Sequence, residues 1–156
     1  MAASPRLLFL VPYPITTTAV TATAFTTVAG GSGVLVPADE LRALAGAGQG
    51  AGVFVSLLAW LETPVVTSGA TVEARLLVQR NGSTLATLAG GQLRVSSLAA
   101  SPAVGSGIVG LVGALVDVTA LLATTPLLGF RLQARTTTGT ANLYLPTVAF
   151  YRTNQP

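Results

Sequence analysis

Residues 130–135 read FRLQAR, with an apolar side chain at every even position and a polar one at every odd position. This period of two is typical of an antiparallel strand with one face in a core and the other in solvent. The same alternation recurs over residues 72–79, with Leu77 as an exception, and over residues 92–96. These segments predict an all-β fold with polar outward faces.

Turn residues recur at short intervals between the strand-like segments, which predicts an antiparallel β-sandwich of about eight strands, of the jelly-roll type. The chain length of 156 residues suits a single β-sandwich domain over residues 1–156. Asn81-Gly82 predicts a type I′ hairpin turn between residues 76–80 and 84–88. The last three strands are predicted at Ile108–Val118, Leu128–Thr137 and Asn142–Thr153.

One short helical turn is predicted near residues 39–45. Pro37 precedes this segment, Asp39 can cap its first turn, and Gly46 can end it. The apolar side of the turn would consist of Leu41, Leu44 and Ala45.

Two segments are apolar on both faces, 53–61 and 108–118. Each is expected to be a central strand or a strand buried in an oligomer interface. Trp60 lies within the first segment and is predicted to pack in the core. At the N-terminus, Leu7–Val11 resembles the short apolar run of a signal peptide, but Pro12 interrupts it, and a structural strand is the preferred interpretation.

The composition argues against catalysis. The chain has no His, no Cys and no Lys, only five carboxylates and eight Arg, and a net charge of +3. The groups that usually transfer protons, attack as nucleophiles or bind metals are nearly all missing, and the carboxylates are scattered. Glycine-rich residues 105–110 and 46–51 match dinucleotide-binding patterns but lack the required strand–turn–helix order. We therefore expect no enzyme activity, no cofactor and no metal.

The charge content also limits the partners. Charged residues make up 8% of the chain, against about 25% in an ordinary soluble domain. Because there is no basic cluster and no continuous apolar run of about 20 residues, neither nucleic acid nor a membrane is expected as a partner. Uncharged patches of several hundred Å² are instead expected on the surface, and such patches usually mark contacts with copies of the chain or with other proteins.

Six residues are candidates for those contacts. Four arginines occupy outward positions of alternating strands, where they can form a solvated face or pair with acidic groups of a partner. Two tyrosines lie on the last strand pair, where one face can be exposed. With Trp60, these tyrosines could also stack on sugars. The six candidates are Arg75, Arg94, Arg131, Arg135, Tyr144 and Tyr151.

Segments 114–122, 129–135 and 138–152, with turns of Gly, Ser and Thr and a strand at the very C-terminus, resemble the small auxiliary proteins of tailed-bacteriophage virions. These are capsid decoration or cement proteins and related jelly-roll head or tail components. The resemblance implies a structural role in the virion, commonly as a homotrimer bound to the major capsid protein or another virion protein. Two alternatives are a tail, collar or fibre component and a carbohydrate- or receptor-binding β-sandwich.

Overall fold

A computed structural model describes residues 4–28, 33–46, 52–62, 71–80, 83–87, 93–96, 108–137 and 141–153. Nearly all of these residues lie in or between strands of two antiparallel sheets, which confirms the all-β prediction. In chain order the elements are β1 (Arg6–Pro12), β2 (Thr17–Val20), β3 (Thr26–Thr27), β4 (Val34–Pro37), α1 (Ala38–Ala45), β5 (Gly52–Glu62), β6 (Thr71–Arg80), β7 (Ser83–Thr87), β8 (Leu93–Ser96), β9 (Ile108–Val112), β10 (Val116–Asp117), α2 (Thr119–Thr124), β11 (Leu127–Thr136) and β12 (Ala141–Thr153).

Each sheet is four strands wide. In the first sheet, called sheet A, β12 and β5 form the centre; β1 and β2 share the free edge of β12, and β9 and β10 share the free edge of β5. In the second, called sheet B, β11 and β6 form the centre; β3 and β4 share the edge of β11, and β7 and β8 share the edge of β6. Each edge position is therefore built from two short consecutive strands.

Counting each shared edge as one position gives eight strand positions, and their order identifies the fold. Sheet A reads 1-8-3-6 and sheet B reads 2-7-4-5. A long hairpin that pairs positions 1 with 8, 2 with 7, 3 with 6 and 4 with 5 gives this order when it rolls up into two sheets. The chain is therefore a jelly-roll sandwich, as the sequence predicts.

The core lies between the two sheets and centres on three aromatic rings. The Phe9 ring stacks on the Phe150 ring at 4.7 Å, and the Phe130 ring meets Phe150 edge-on at 5.3 Å. Phe150 and Phe130 are fully buried and come from opposite sheets. Because such contacts add to the burial of large apolar rings, this cluster is the main link between the sheets.

The predicted C-terminal strands agree with β11 and β12 to within about one residue, but the predicted strand 108–118 is wrong. It is divided into β9 and β10, because the chain turns at Gly113, whose carbonyl accepts a hydrogen bond from the Ser56 hydroxyl at 2.5 Å. The helix α2, which the sequence did not predict, follows directly. The pairing of β6 with β7 is as predicted, and the turn Asn81-Gly82 lies outside the described residues.

The ends of α1 differ in part from the prediction. Pro37 occupies the N-cap position without a side-chain hydrogen bond, so the prediction that Asp39 caps the helix is wrong. Asp39 lies within the first turn and accepts a hydrogen bond from the Arg42 guanidinium at 2.6 Å. Gly46 ends the helix in the left-handed conformation, as predicted, with φ of 72°.

The buried side of α1 consists of Ala38, Leu41 and Ala45. Their spacing of three and four residues is that of one helical face. Leu44 is exposed, contrary to the prediction, because it lies on the flank of this face rather than on it.

One buried side chain ties the two sheets together by a hydrogen bond. Tyr13, between β1 and β2 of sheet A, donates its hydroxyl to the Phe130 carbonyl in β11 of sheet B, at 2.6 Å. Its backbone N–H donates to the Pro146 carbonyl at 2.9 Å. Burial raises the pKa of the Tyr13 phenol well above its ordinary value of 10.0, because the phenolate would lose its hydration.

The substitution Tyr13→Phe is expected to lower the free energy of unfolding by about 1–2 kcal/mol at pH 7, because it leaves the Phe130 carbonyl without this donor. Above pH 10 the unfolded wild-type chain loses its Tyr13 proton while the folded chain keeps it. Wild-type stability should therefore fall faster with rising pH than that of the variant, by up to about 1.4 kcal/mol per pH unit. Urea unfolding between pH 7 and 11 measures both effects, and parallel pH curves would contradict the assignment.

Candidate functional site

The outer face of sheet A carries few charged residues, and we call it the apolar face. Along β5, residues at odd positions from Val53 to Ala59 point into the core, whereas Phe54, Leu58 and Trp60 point outward. The strand is therefore apolar on both sides, as predicted for segment 53–61. Its inner side belongs to the sandwich core. On its outer side Trp60 is exposed, Phe54 and Leu58 are half-buried, and Ser56 is fully buried.

The strand register places most of the outward residues in four rows, and the paired positions Glu62 and Ile108 follow the last of them. From the β1–β2 edge to the β9–β10 edge, these rows are Leu7, Tyr151, Phe54 and Asp117; Leu10, Ala149 and Ser56; Pro12, Thr147, Leu58 and Val112; and Thr17, Tyr144, Trp60 and Gly110.

Four apolar side chains on this face are strongly exposed. The exposed fractions are 47% for Leu7, 49% for Leu10, 50% for Trp60 and 72% for Val112. A half-exposed Trp alone presents on the order of 100 Å². Together the four expose several hundred Å² of apolar surface, divided among separate positions on the face.

The described side chains of the apolar face include a single charged group. It is Asp117, which stands at one corner of the face. Its carboxylate accepts a hydrogen bond from the backbone N–H of Thr119, the first residue of α2, at 2.8 Å. This contact stabilises the beginning of the helix. The centre of the face is therefore electrically neutral.

Trp60 is exposed, so the prediction that it packs in the core is wrong. A strand that is apolar on both sides does not indicate which side faces the partner sheet, and Trp60 falls on the outer side. Tyr144 lies directly across from Trp60 on β12, and Gly110, which has no side chain, lies across on β9. Tyr151 lies three rows away, between Leu7 and Phe54. Both tyrosine candidates therefore lie on the apolar face.

A bulge in β12 opens a groove at the edge of this face. The register shifts between Tyr144 and Thr147, and Leu145 within the bulge has a left-handed φ of 46°. Its backbone N–H donates to the Thr16 carbonyl at 2.9 Å. The groove has a volume of about 710 Å³ and is lined by Pro12, Tyr13, Pro14, Ile15, Thr16, Thr17, Leu145 and Thr147.

The outer face of sheet B is polar, and two of the candidate arginines are already engaged there. The guanidinium of Arg75 lies 3.8 Å and that of Arg135 lies 4.4 Å from the centre of the Phe25 ring. Arg75 also donates to Oε1 of Gln133 at 2.9 and 3.0 Å. Arg135 forms an ion pair with the buried carboxylate of Glu73. These contacts hold the segment before β3 against the sheet.

The other two arginines differ from this pair. Arg131, also on β11, is partly exposed, and its buried Nε has no hydrogen-bond partner within the described part of the chain. Arg94 pairs with Glu73 in the β6–β8 register, and its side chain lies outside the described residues. The structure therefore places all four candidates on sheet B, but in different environments.

The charged residues are unequally divided between the two sheets. The strands of sheet B carry five arginines and one glutamate, a net charge of +4. The strands of sheet A carry Arg6, Arg152, Glu62 and Asp117, a net charge of zero. Helix α1 carries the rest, a net charge of −1. The sequence alone could not show this division, because it depends on which strands share a sheet.

No described group of three or more His, Cys, Asp or Glu residues is placed to hold a metal ion. Within the same residues, no helix is long and apolar enough to cross a membrane.

No protein-family model matches the sequence, and no curated protein matches it. Among solved structures, the chain is similar to infectious bursal disease virus VP2 in a subviral particle, with a TM-score of 0.47, 10% identity, and coverage of 96% of this chain and 33% of that one. A chain of the T13 particle of the same virus has a TM-score of 0.45 and 8% identity, with coverage of 98% of this chain and 36% of that one. Dimeric latent PorU from Porphyromonas gingivalis has a TM-score of 0.46 and 15% identity, with coverage of 99% of this chain and 13% of that one.

Several of the similar structures are thus viral capsid proteins, and this chain spans about a third of their length. At these TM-scores and identities, the role of the chain has to be inferred from its own residues.

Proposed function

We propose that this protein is a non-enzymatic structural component of a virus particle, a capsid decoration or cement protein. The observation that carries the proposal is the unequal division of charge, with a neutral, apolar outer face on sheet A and a net charge of +4 on sheet B. Two faces of different chemistry allow one small domain to hold two kinds of neighbour at once. This is what a protein that reinforces a shell requires, and it fits the resemblance of the sequence to decoration proteins.

On this proposal, sheet B binds an acidic surface of the major capsid protein or of another virion protein. Arg75 contacts Phe25 and Gln133, and Arg135 contacts Phe25 and Glu73. Because these guanidinium groups already have partners within the chain, they are less available to a second protein. Arg131 is partly exposed and forms no ion pair among the described residues, which makes it the best placed of the four to pair with a partner's acid. Contacts of this kind weaken as salt screens them.

The finer parts of the proposal follow from the resemblance. The protein would self-associate, as a homotrimer on the capsid lattice, and would be found in the virion. A tail, collar or fibre position is the alternative within the same structural class.

Particles that lack this protein are expected to lose their genome at lower temperature and under milder osmotic shock than intact particles. A protein that binds only the assembled shell stabilises that state by mass action, by roughly 2.7 kcal/mol at a hundredfold excess over its dissociation constant. Adding back the purified protein should restore the resistance. Arg131→Ala should restore it less well at low salt, and its difference from the wild type should shrink at high salt, where the ion pair is screened.

Arg6→Ala is the matched control, since it removes the same charge from an exposed position on sheet A. It should restore resistance as well as the wild type. Depleted particles that match intact ones under both heat and osmotic challenge would exclude the cementing role and leave a tail or fibre position.

Carbohydrate binding is a second candidate function, because Trp60 is exposed beside Tyr144 on a flat sheet. An aromatic ring that is open to solvent can stack on a sugar ring. Since Trp60 is the only tryptophan of the chain, titration with soluble oligosaccharides should change its fluorescence if this candidate is correct.

A further inference from the structure

We infer that the apolar face of sheet A is the surface on which a second copy of this chain packs, with the same face on both partners. The inference goes beyond the proposed function, because the homotrimer proposed there would need a separate contact between copies. The contact would be two-fold, and so would differ from the three-fold arrangement that the resemblance implies.

The distribution of charge selects this face. In a two-fold contact each residue near the axis meets its own copy, so a charged face repels itself. Sheet B, with five arginines and one glutamate, cannot pack on itself without bringing like charges together. The described side chains of the apolar face carry one charge, Asp117, which stands at a corner, away from the centre. The apolar face can therefore meet its copy with less repulsion between like charges than sheet B can.

The size of the face matches a protein partner. Four strands spaced about 4.8 Å apart and four rows spaced about 6.8 Å apart give a flat area on the order of 500 Å². Because side chains roughen the surface, the accessible area is larger and approaches the roughly 800 Å² per partner of a standard interface. A single sugar ring would cover only a small part of this area.

The relief of the face is also suited to self-packing. Ala149 and Ser56 are fully buried at the centre of the second row, so neighbouring residues cover this point of the face. Leu10, at the edge of the same row, protrudes into solvent, as do Trp60 and Val112. Protruding side chains that stand apart from one another in this way can interlock with those of a second copy. Two sheets of the same twist pack face to face at about −30°.

The oligomeric state of the purified full-length chain tests this inference. Light scattering should give twice 15.7 kDa for the wild type. Leu10→Glu and Val112→Glu should each weaken the pair at least about a hundredfold, because each copy would bury an unpaired carboxylate. Both positions are well exposed in the single chain, so the variants should still fold, which circular dichroism verifies.

Leu35→Glu is the matched control. Leu35 is also an exposed leucine on an edge strand, at 57%, but it lies on β4 of sheet B. The control changes the net charge by the same amount and should leave the mass at twice 15.7 kDa.

The fluorescence of Trp60 supplies a second readout. In the pair, Trp60 is covered, and on dilution it should become exposed to water, with emission moving to longer wavelength at the concentration where the mass halves. Leu10→Glu should show the long-wavelength emission at all concentrations, whereas Leu35→Glu should follow the wild type.

Three results would overturn the inference. A trimer that persists in Leu10→Glu and Val112→Glu would leave self-association intact but place it on another surface. A wild-type monomer at micromolar concentration whose Trp60 emission responds to oligosaccharides would make the face a glycan platform. A monomer with no such response would show that the face does not bind its copy, while the particle experiment would still decide the cementing role.

Discussion

Gly33→Ala is expected to destabilise the fold by about 3–5 kcal/mol, a large part of the total stability of a small domain. Gly33 has a φ of 68°, in the left-handed region that side chains disfavour. An added Cβ would also lie 2.4 Å from the Phe130 carbonyl oxygen and 2.8 Å from its carbon. Both atoms belong to the backbone of β11 and cannot move aside without disturbing sheet B.

Gly46→Ala is the matched control for this prediction. Gly46 has nearly the same φ, 72°, but the nearest atom to an added Cβ is Nη1 of Arg152, at 3.6 Å. Only the conformational cost remains, which is about 1 kcal/mol. Urea unfolding of the two variants separates the cost of the conformation from that of the close approach. Equal losses of stability would show that the Phe130 carbonyl does not limit position 33.

Phe150→Ala is expected to cost about 3–5 kcal/mol, because it removes a fully buried ring and leaves a cavity between the sheets. The ring contacts Phe9 of the same sheet and Phe130 of the opposite sheet, so both contacts are lost together. Chemical denaturation should show a lower midpoint with little change in the slope if the variant still unfolds in one step.

Phe25→Ala removes the same atoms from a ring that lies outside the sandwich, between Arg75 and Arg135. Its expected cost is about 1–2 kcal/mol, from two partly exposed cation–π contacts and limited burial. If Phe25→Ala proved as costly as Phe150→Ala, the outer cluster of sheet B would be as important to the fold as the core.

The two faces of the sandwich explain how a chain with so little charge can still hold different neighbours. The arginines are concentrated on one sheet, where Phe25 and Glu73 order two of them. The other sheet offers aliphatic and aromatic side chains that the chain itself leaves uncovered. The charged residues are therefore not spread evenly, and the apolar face carries few of them.

Much of the fold could be predicted from the sequence because it depends on local alternation. The period of two over residues 130–135 and 72–79 places β11 and β6 correctly, and both turn out to be central strands of sheet B. Pro37 and Gly46 bound α1 as expected. Helix α2 was missed because Thr119–Thr124 is short and carries no charged residue at either end.

The location of the candidate site could be predicted only in part. The sequence indicated that segment 53–61 is apolar on both faces and that Tyr144 and Tyr151 could be exposed. It did not indicate that Trp60 is exposed, because an apolar residue on either side of such a strand gives the same pattern. That choice depends on which side of β5 sheet B covers.

By itself, the sequence determined the β class, the main strands, the near absence of catalytic groups and the scarcity of charge, since these are properties of composition and of neighbouring residues. The tertiary structure alone decided the pairing of β1 with β12 across the length of the chain, the grouping of five arginines on one sheet and the exposure of Trp60 on the other. The physical reason is that alternation records which sides of a strand are apolar. Only the packing of one sheet on the other decides which of those sides becomes core and which remains surface.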